Sequence, residues 1–224
     1  MQTALFDRLK AGVGELWDQA QRHPFVDALG DGTLERGRFI HYLKQDYVYL
    51  TGYSRAIALA SARAPDLQRM AELSGLLNET LNHEMQLHRD YCAEFGVSAL
   101  DLEAVEPAPI CQAYADFCVA TAATGGMLVL LAALLPCGVG YGEIGQRLMS
   151  HPALSPVHPY RQWIYTYGGD EYQQYARWMI EALNELGAEA TSTEVSHLTM
   201  LFRLGCRYEW LFWEMAWAEQ DWPV

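Results

Sequence analysis

The stretch FIHYLKQDYVYLTGY, residues 39–53, decides the fold class. Residues about 3, 4, 7, 11 and 14 places apart return to one face of an α-helix. Phe39, Leu43, Asp46, Leu50 and Tyr53 obey that spacing, so the stretch reads as a helix with one apolar face. The pattern returns near the far end in Phe202, Gly205, Cys206, Glu209, Phe212, Trp213 and Ala216. Each stripe has a carboxylate at its centre, Asp46 in one and Glu209 in the other. A carboxylate among hydrocarbon costs free energy unless it is paired or does chemistry. Cys137, just after a leucine-rich segment in LLPCG (134–138), is a third reactive residue in such a setting. The trio points to an enclosed active site.

Working outward, nearly every periodic segment is helical, and no run alternates in the period-two manner of a half-buried strand. The expected fold is therefore all-α, with helices over residues 3–21, 34–63, 66–95, 110–124, 127–135, 140–149, 160–167, 171–186 and 193–219. Thr33 suits an N-cap after the turn-forming Gly30-Asp31-Gly32, and Pro65 separates the second helix from the third. Pro136 is expected to end the leucine-rich helix. A new helix starting near Gly140 would then place its N-terminus close enough to favour a Cys137 thiolate. Residues 117–142 carry no charge and are long enough to cross a bilayer. Thr121, Thr124, Gly125, Gly126 and Pro136 interrupt them, so a buried core helix is the better reading. The tracts 98–109 and 150–159 read as loops within one domain spanning 1–224, and no internal repeat appears.

Composition narrows the function. Of 224 residues, 51% are hydrophobic, enough for a sizeable core. A formal charge of −13 leaves nothing to replace the counterions of a nucleic acid. Lys10 and Lys44 are the only lysines, so no basic amphipathic helix is present to hold an anionic membrane surface. The five cysteines, Cys92, Cys111, Cys118, Cys137 and Cys206, are an odd number without CxxC spacing, which fits a reducing cytoplasm. Residues 1–22 lack the apolar run of a signal peptide, so the mature chain is expected to start at Met1.

A second constellation supports a rival reading. Leu77, Leu81, Glu84, His88, Tyr91 and Phe95 share a face, and Glu84 and His88 are one turn apart, close enough to bind one metal. Glu194 and His197 add an ExxH of the di-iron carboxylate kind. Against a metal-dependent oxidase, Glu194 falls at a helix start where Ser192 or Thr193 caps, and no second carboxylate-histidine helix pairs with the first. Glu84 and His88 are read instead as a structural pair, with no metal and no cofactor. The ordinary alternatives elsewhere are packing for buried cysteines and tyrosines, tyrosine or backbone hydrogen bonds for Asp46, and an ion pair with Arg203 or Arg207 for Glu209.

Five blocks in order, HPF (23–25), YLKQDYVYL (42–50), LLPCGVGY (134–141), YRQWIYTY (160–167) and YEWLFWE (208–214), together resemble the TenA/thiaminase II family over almost the whole chain. The resemblance implies a helical bundle similar to haem oxygenase but without haem, assembled as a homotetramer. Exposed Trp217, Trp222 and Pro223 would suit its contacts. It implies hydrolysis at the pyrimidine methylene of thiamin or of aminomethyl-aminopyrimidine, giving hydroxymethylpyrimidine for salvage, with the preferred substrate left open. Carried over by position, Cys137 matches the nucleophile that adds to the ring and Glu209 the group that protonates a ring nitrogen. Asp46 matches the carboxylate that grips the amino edge. Tyr49, Tyr114 and Tyr141 match ring-contacting aromatics, and Tyr167 a tyrosine near the reacting centre. A non-catalytic pyrimidine-binding or regulatory protein is the third reading.

Overall fold

The structure is a computed structural model describing residues 3–224. It is 78% helical, with no strand among the described residues. In chain order the helices are α1 (Leu5–Val13), α2 (Glu15–Gln21), α3 (Pro24–Asp31), α4 (Arg36–Ala62), α5 (Leu67–Glu79), a π-helical turn (Thr80–Glu84), α6 (Met85–Glu94), α7 (Ala99–Glu103), α8 (Pro109–Thr124), α9 (Met127–Met149), α10 (Arg161–Gly168), α11 (Asp170–Leu186) and α12 (Ser192–Trp217).

Several boundaries differ from expectation, each for a local reason. The first helix breaks at Gly14, whose φ of 60° and ψ of −134° suit only a residue without Cβ. Helix α3 was not anticipated, although its signal is in HPF. His23 caps it by accepting from the Phe25 N–H, and Pro24 occupies the first turn, where its missing N–H costs nothing. The tract 98–109 holds α7, opened by a reciprocal capping box between Ser98 and Asp101. The cap of α12 is Thr191, not Ser192 or Thr193: the Thr191 N–H donates to Glu194 Oε2 at 2.8 Å, and the Glu194 N–H donates to Thr191 Oγ1 at 3.3 Å.

The largest correction concerns Pro136. It does not end a helix; α9 runs through it to Met149. A proline inside a helix removes one hydrogen bond and crowds the preceding turn, at about 3 kcal/mol. Leu131, Leu134 and Leu135 are almost fully buried, and burying each such side chain stabilises by about 1.5–3 kcal/mol, which offsets that cost. The most apolar window of α9 is 78% buried within the protein, as expected of a core helix.

The chain divides into two compact units. One comprises Met1–Leu34 and Leu131–Glu214. In it Trp17 stacks on Phe202 with centroids 5.5 Å apart, and Phe25 stacks on Trp213 at 5.3 Å. A Cβ built on Gly205 would lie 2.9 Å from the Ala133 carbonyl oxygen and 2.8 Å from the Pro136 ring, so α12 meets α9 backbone to backbone. The other comprises Glu35–Leu130 and Met215–Val224. There Gly52 of α4 faces Ala115 of α8, where an added Cβ would lie 2.6 Å from the alanine methyl. Farther along α4, Ser61 Oγ lies 3.1 Å from Ser74 Oγ of α5. The stripe of the opening stretch is buried as expected, from Phe39 to Tyr53. Trp217, expected at the surface, is half-buried, with the Arg38 guanidinium 3.9 Å above its ring, whereas Trp222 is 47% exposed.

Candidate active site

In the second unit Asp46 is only 4% exposed. Its Oδ2 accepts from the Tyr42 hydroxyl at 3.1 Å and meets His88 Nε2 at 2.6 Å. His88 Nδ1 lies 2.9 Å from the backbone carbonyl oxygen of Glu84. Glu84 and His88 are thus linked, but not through the expected carboxylate. The acid that holds the imidazole comes from α4, because the centres of two apolar stripes, Asp46 and His88, face each other where the helices pack. Burial pushes the Glu84 carboxyl up to about 7, opposed by His88 and assisted by Asp46. Burial alone would lower His88, but the hydrogen bond and charge of Asp46, with Glu84, raise it to about 8.

Tyr49, one turn beyond Asp46, lies with its ring 4.7 Å from that of Tyr114 on α8, and both are buried. Gln45 helps fix that helix pair: its Oε1 accepts from the Ala108 N–H at 2.8 Å, and its backbone carbonyl accepts from the Cys111 thiol at 3.2 Å.

In the first unit Glu209 is 5% exposed and lines a small pocket with Trp17, Gln21, Pro136, Gly140 and Trp213. Gln21 Nε2 closes one side by donating to the Gly140 carbonyl at 3.2 Å. Cys137 follows Pro136 directly. It is the partly exposed member of the five reduced cysteines, the other four being buried. Burial pushes the thiols of Cys92 and Cys111 up to about 11 and 12. It raises Cys206 further, helped by the charge of Glu209. These three suit packing rather than attack. Because α9 is continuous, no helix begins near Gly140, and the proposed dipole assistance to Cys137 falls away.

Tyr141 and Tyr167 meet edge to face at 5.0 Å, with Trp163 4.6 Å from Tyr167 and Trp213 5.1 Å from Tyr141. Tyr167 is held close by glycine: a Cβ on Gly145 would lie 2.3 Å from the Gly168 nitrogen and 2.5 Å from the Tyr167 carbonyl carbon. Asp46, Tyr49 and Tyr114 therefore belong to one unit, and Cys137, Glu209, Tyr141 and Tyr167 to the other.

Two of the four residues of the metal rival are otherwise engaged. His88 uses both ring nitrogens on protein partners, and Glu194 caps α12. No group of three or more His, Cys, Asp or Glu among the described residues is placed to hold a metal ion.

The family model of the TENA/THI-4/PQQC family matches residues 11–219. The chain belongs to the TENA/THI-4/PQQC family. Among TENA relatives, the aminopyrimidine aminohydrolase of Halalkalibacterium halodurans is 43% identical over 207 residues, covering 92% of each chain. A solved structure from Silicibacter sp. TM1040, described as a TenA family transcription regulator, is 38% identical, covers 95% of this chain and 96% of its own, and superposes with a TM-score of 0.89. A Shewanella denitrificans domain of unknown function described as having a heme oxygenase-like fold covers 96% of this chain and 92% of its own. Its TM-score is 0.74 at 18% identity, a likeness of fold alone.

Proposed function

We propose that this protein is an aminopyrimidine hydrolase of thiamin salvage, cleaving the carbon–nitrogen bond at the pyrimidine methylene of thiamin or of its aminomethyl breakdown product. The observation that carries the reading is full-length similarity to a relative named for that activity, with the buried acids and the accessible cysteine in the matched region.

Direct displacement from a heteroaromatic methylene is difficult, so a covalent route is chemically preferable. In this reading the Cys137 sulfur adds to a ring carbon while Glu209 delivers a proton to a ring nitrogen, and aromaticity is lost. The ring electrons then expel the leaving group from the methylene, as neutral thiazole from thiamin or as ammonia from an already protonated aminomethyl group. Water adds to the exocyclic carbon left behind and loses a proton, the ring nitrogen returns its proton to Glu209, and expulsion of the sulfur restores the ring, now bearing a hydroxymethyl group. Asp46 accepts from the amino group beside the ring, Tyr49, Tyr114 and Tyr141 contact its faces and edges, and Tyr167 stands near the reacting methylene. We further read the protein as one catalytic domain, cytoplasmic, cofactor-free and assembled as a homotetramer.

The description of the Silicibacter relative favours a second reading, a pyrimidine-responsive regulator. Assaying thiamin and aminomethyl-aminopyrimidine side by side separates the two. The hydrolase should turn over at least one, and Cys137→Ser should lower kcat by about 10³-fold or more while hydroxymethylpyrimidine still binds. Binding without turnover by the wild type would establish the regulator instead.

A further inference from the structure

Both protein hydrogen bonds to the Asp46 carboxylate fall on Oδ2, one from Tyr42 and one from His88. The Glu84 carbonyl can only accept, so His88 Nδ1, 2.9 Å away, carries a hydrogen. A neutral imidazole has no second hydrogen to offer. Yet Nε2 lies 2.6 Å from a carboxylate oxygen, which also accepts. One further proton therefore sits in that contact. Donation from Tyr42 to the same oxygen favours keeping Asp46 ionised and His88 an imidazolium, a charge-assisted pair.

We propose that His88 is the positioning residue of the Asp46 subsite: as an imidazolium it pins Oδ2 and turns Oδ1 toward the amino group of the pyrimidine. This rests on the reading of Asp46 as the group that grips that amino edge. The titratable groups around the pair are Asp46 and Tyr42 on α4, Glu84 at the end of the π-helical turn, and the thiols of Cys92 on α6 and Cys111 on α8. The thiols titrate only near 11 and 12, whereas Glu84 at about 7 and His88 at about 8 change charge in the working range. Once His88 loses its second proton, two acceptors oppose each other at 2.6 Å and Asp46 is released. Ring affinity should fall about tenfold between pH 7 and pH 9, as expected for loss of one proton near pH 8.

Calorimetric titration with hydroxymethylpyrimidine at pH 7 and pH 9 tests this on wild type, His88→Gln, His88→Leu and Asp46→Asn. The glutamine amide donates at every pH, so His88→Gln should bind at both and lack the extra tenfold loss. Any titration of the ligand itself is common to all the proteins. His88→Leu should bind at least about tenfold more weakly at pH 7, where one charge-assisted hydrogen bond is lost. Nitrogen NMR of the wild-type ring, which needs no variant, should show both nitrogens protonated at pH 7. A neutral ring, or a His88→Gln protein with the wild-type pH slope, would overturn the proposal. If Asp46→Asn weakens binding and a folded His88→Leu does not, positioning alone fails. If Asp46→Asn binds as tightly as wild type, the Asp46 grip fails, and this role with it.

Discussion

His23 and His88 are both buried, and counting donors makes the first neutral and the second a cation. His23 Nδ1 accepts from the Phe25 N–H, so its hydrogen sits on Nε2 and points at Glu214 Oε2 3.0 Å away. That ring works neutral, and burial lowers its pKa. His88 must donate from both nitrogens and is raised to about 8. Its contribution to stability is complete below 6.5 and is lost as the pH rises through 8. Glu84 has the same sign for a different reason. Its folded-state pKa of about 7 exceeds the ordinary 4.5, so the fold favours the protonated acid and loses stability as pH climbs from 4.5 to 7. Glu84→Gln should therefore stabilise the protein at pH 8 by about 1 kcal/mol, roughly 2–4 °C in Tm, and hardly at all at pH 4. Scanning calorimetry at the two pH values measures the difference, and equal shifts at both would show that Glu84 folds ionised.

Among the elements, α9 does the most positioning. It carries Cys137 and Tyr141, survives an internal proline because its leucines are buried, and meets α10 at Gly145 with no room for a methyl group. Gly145→Ala would force the backbone at Tyr167 and Gly168 to move, costing on the order of 1–3 kcal/mol as overpacking does. Because Tyr167 sits on the moved segment, kcat should fall along with Tm. Gly75→Ala in α5 supplies the contrast. A Cβ there meets nothing within 4 Å, and the helix should gain about 0.5–1 kcal/mol without change in activity. Equal effects from the two substitutions would mean that the α9–α10 contact is not tight. The π-helical turn was hidden from the sequence: the 3.6-residue period places Leu81 on the apolar face, whereas in the turn Thr80 is buried and Leu81 is 43% exposed.

At the scale of the whole molecule, the excess of 13 negative charges argues against nucleic-acid partners and suits a protein whose ligand is small. The proposed tetramer has a direct measurement: light scattering should return about four times the 25.3 kDa chain mass, and a value near the chain mass would leave the monomer as the working form. Trp222 is the candidate interface anchor, since its indole N–H is tied to the Pro107 carbonyl at 2.9 Å while the residue stays 47% exposed. Trp217 is not, being covered by Arg38.

Periodicity alone determined that the chain is helical, that Asp46 and Glu209 sit in buried stripes, and that residues 117–142 do not read as a simple membrane span. It could do so because burial repeats every 3.6 residues and marks a polar residue on the wrong face. Capping residues stand in HPF and in Ser98–Asp101, but the helices they open, α3 and α7, were missed because each is too short to show an apolar period. What tertiary structure decided was whatever depends on the helix opposite: that the carboxylate holding His88 is Asp46 and not Glu84, that Pro136 stays inside a helix, and that Gly145 and Gly205 are fixed by neighbouring backbone. A side chain's partner across a helix pair lies tens of residues away in sequence, and no spacing within one helix encodes it.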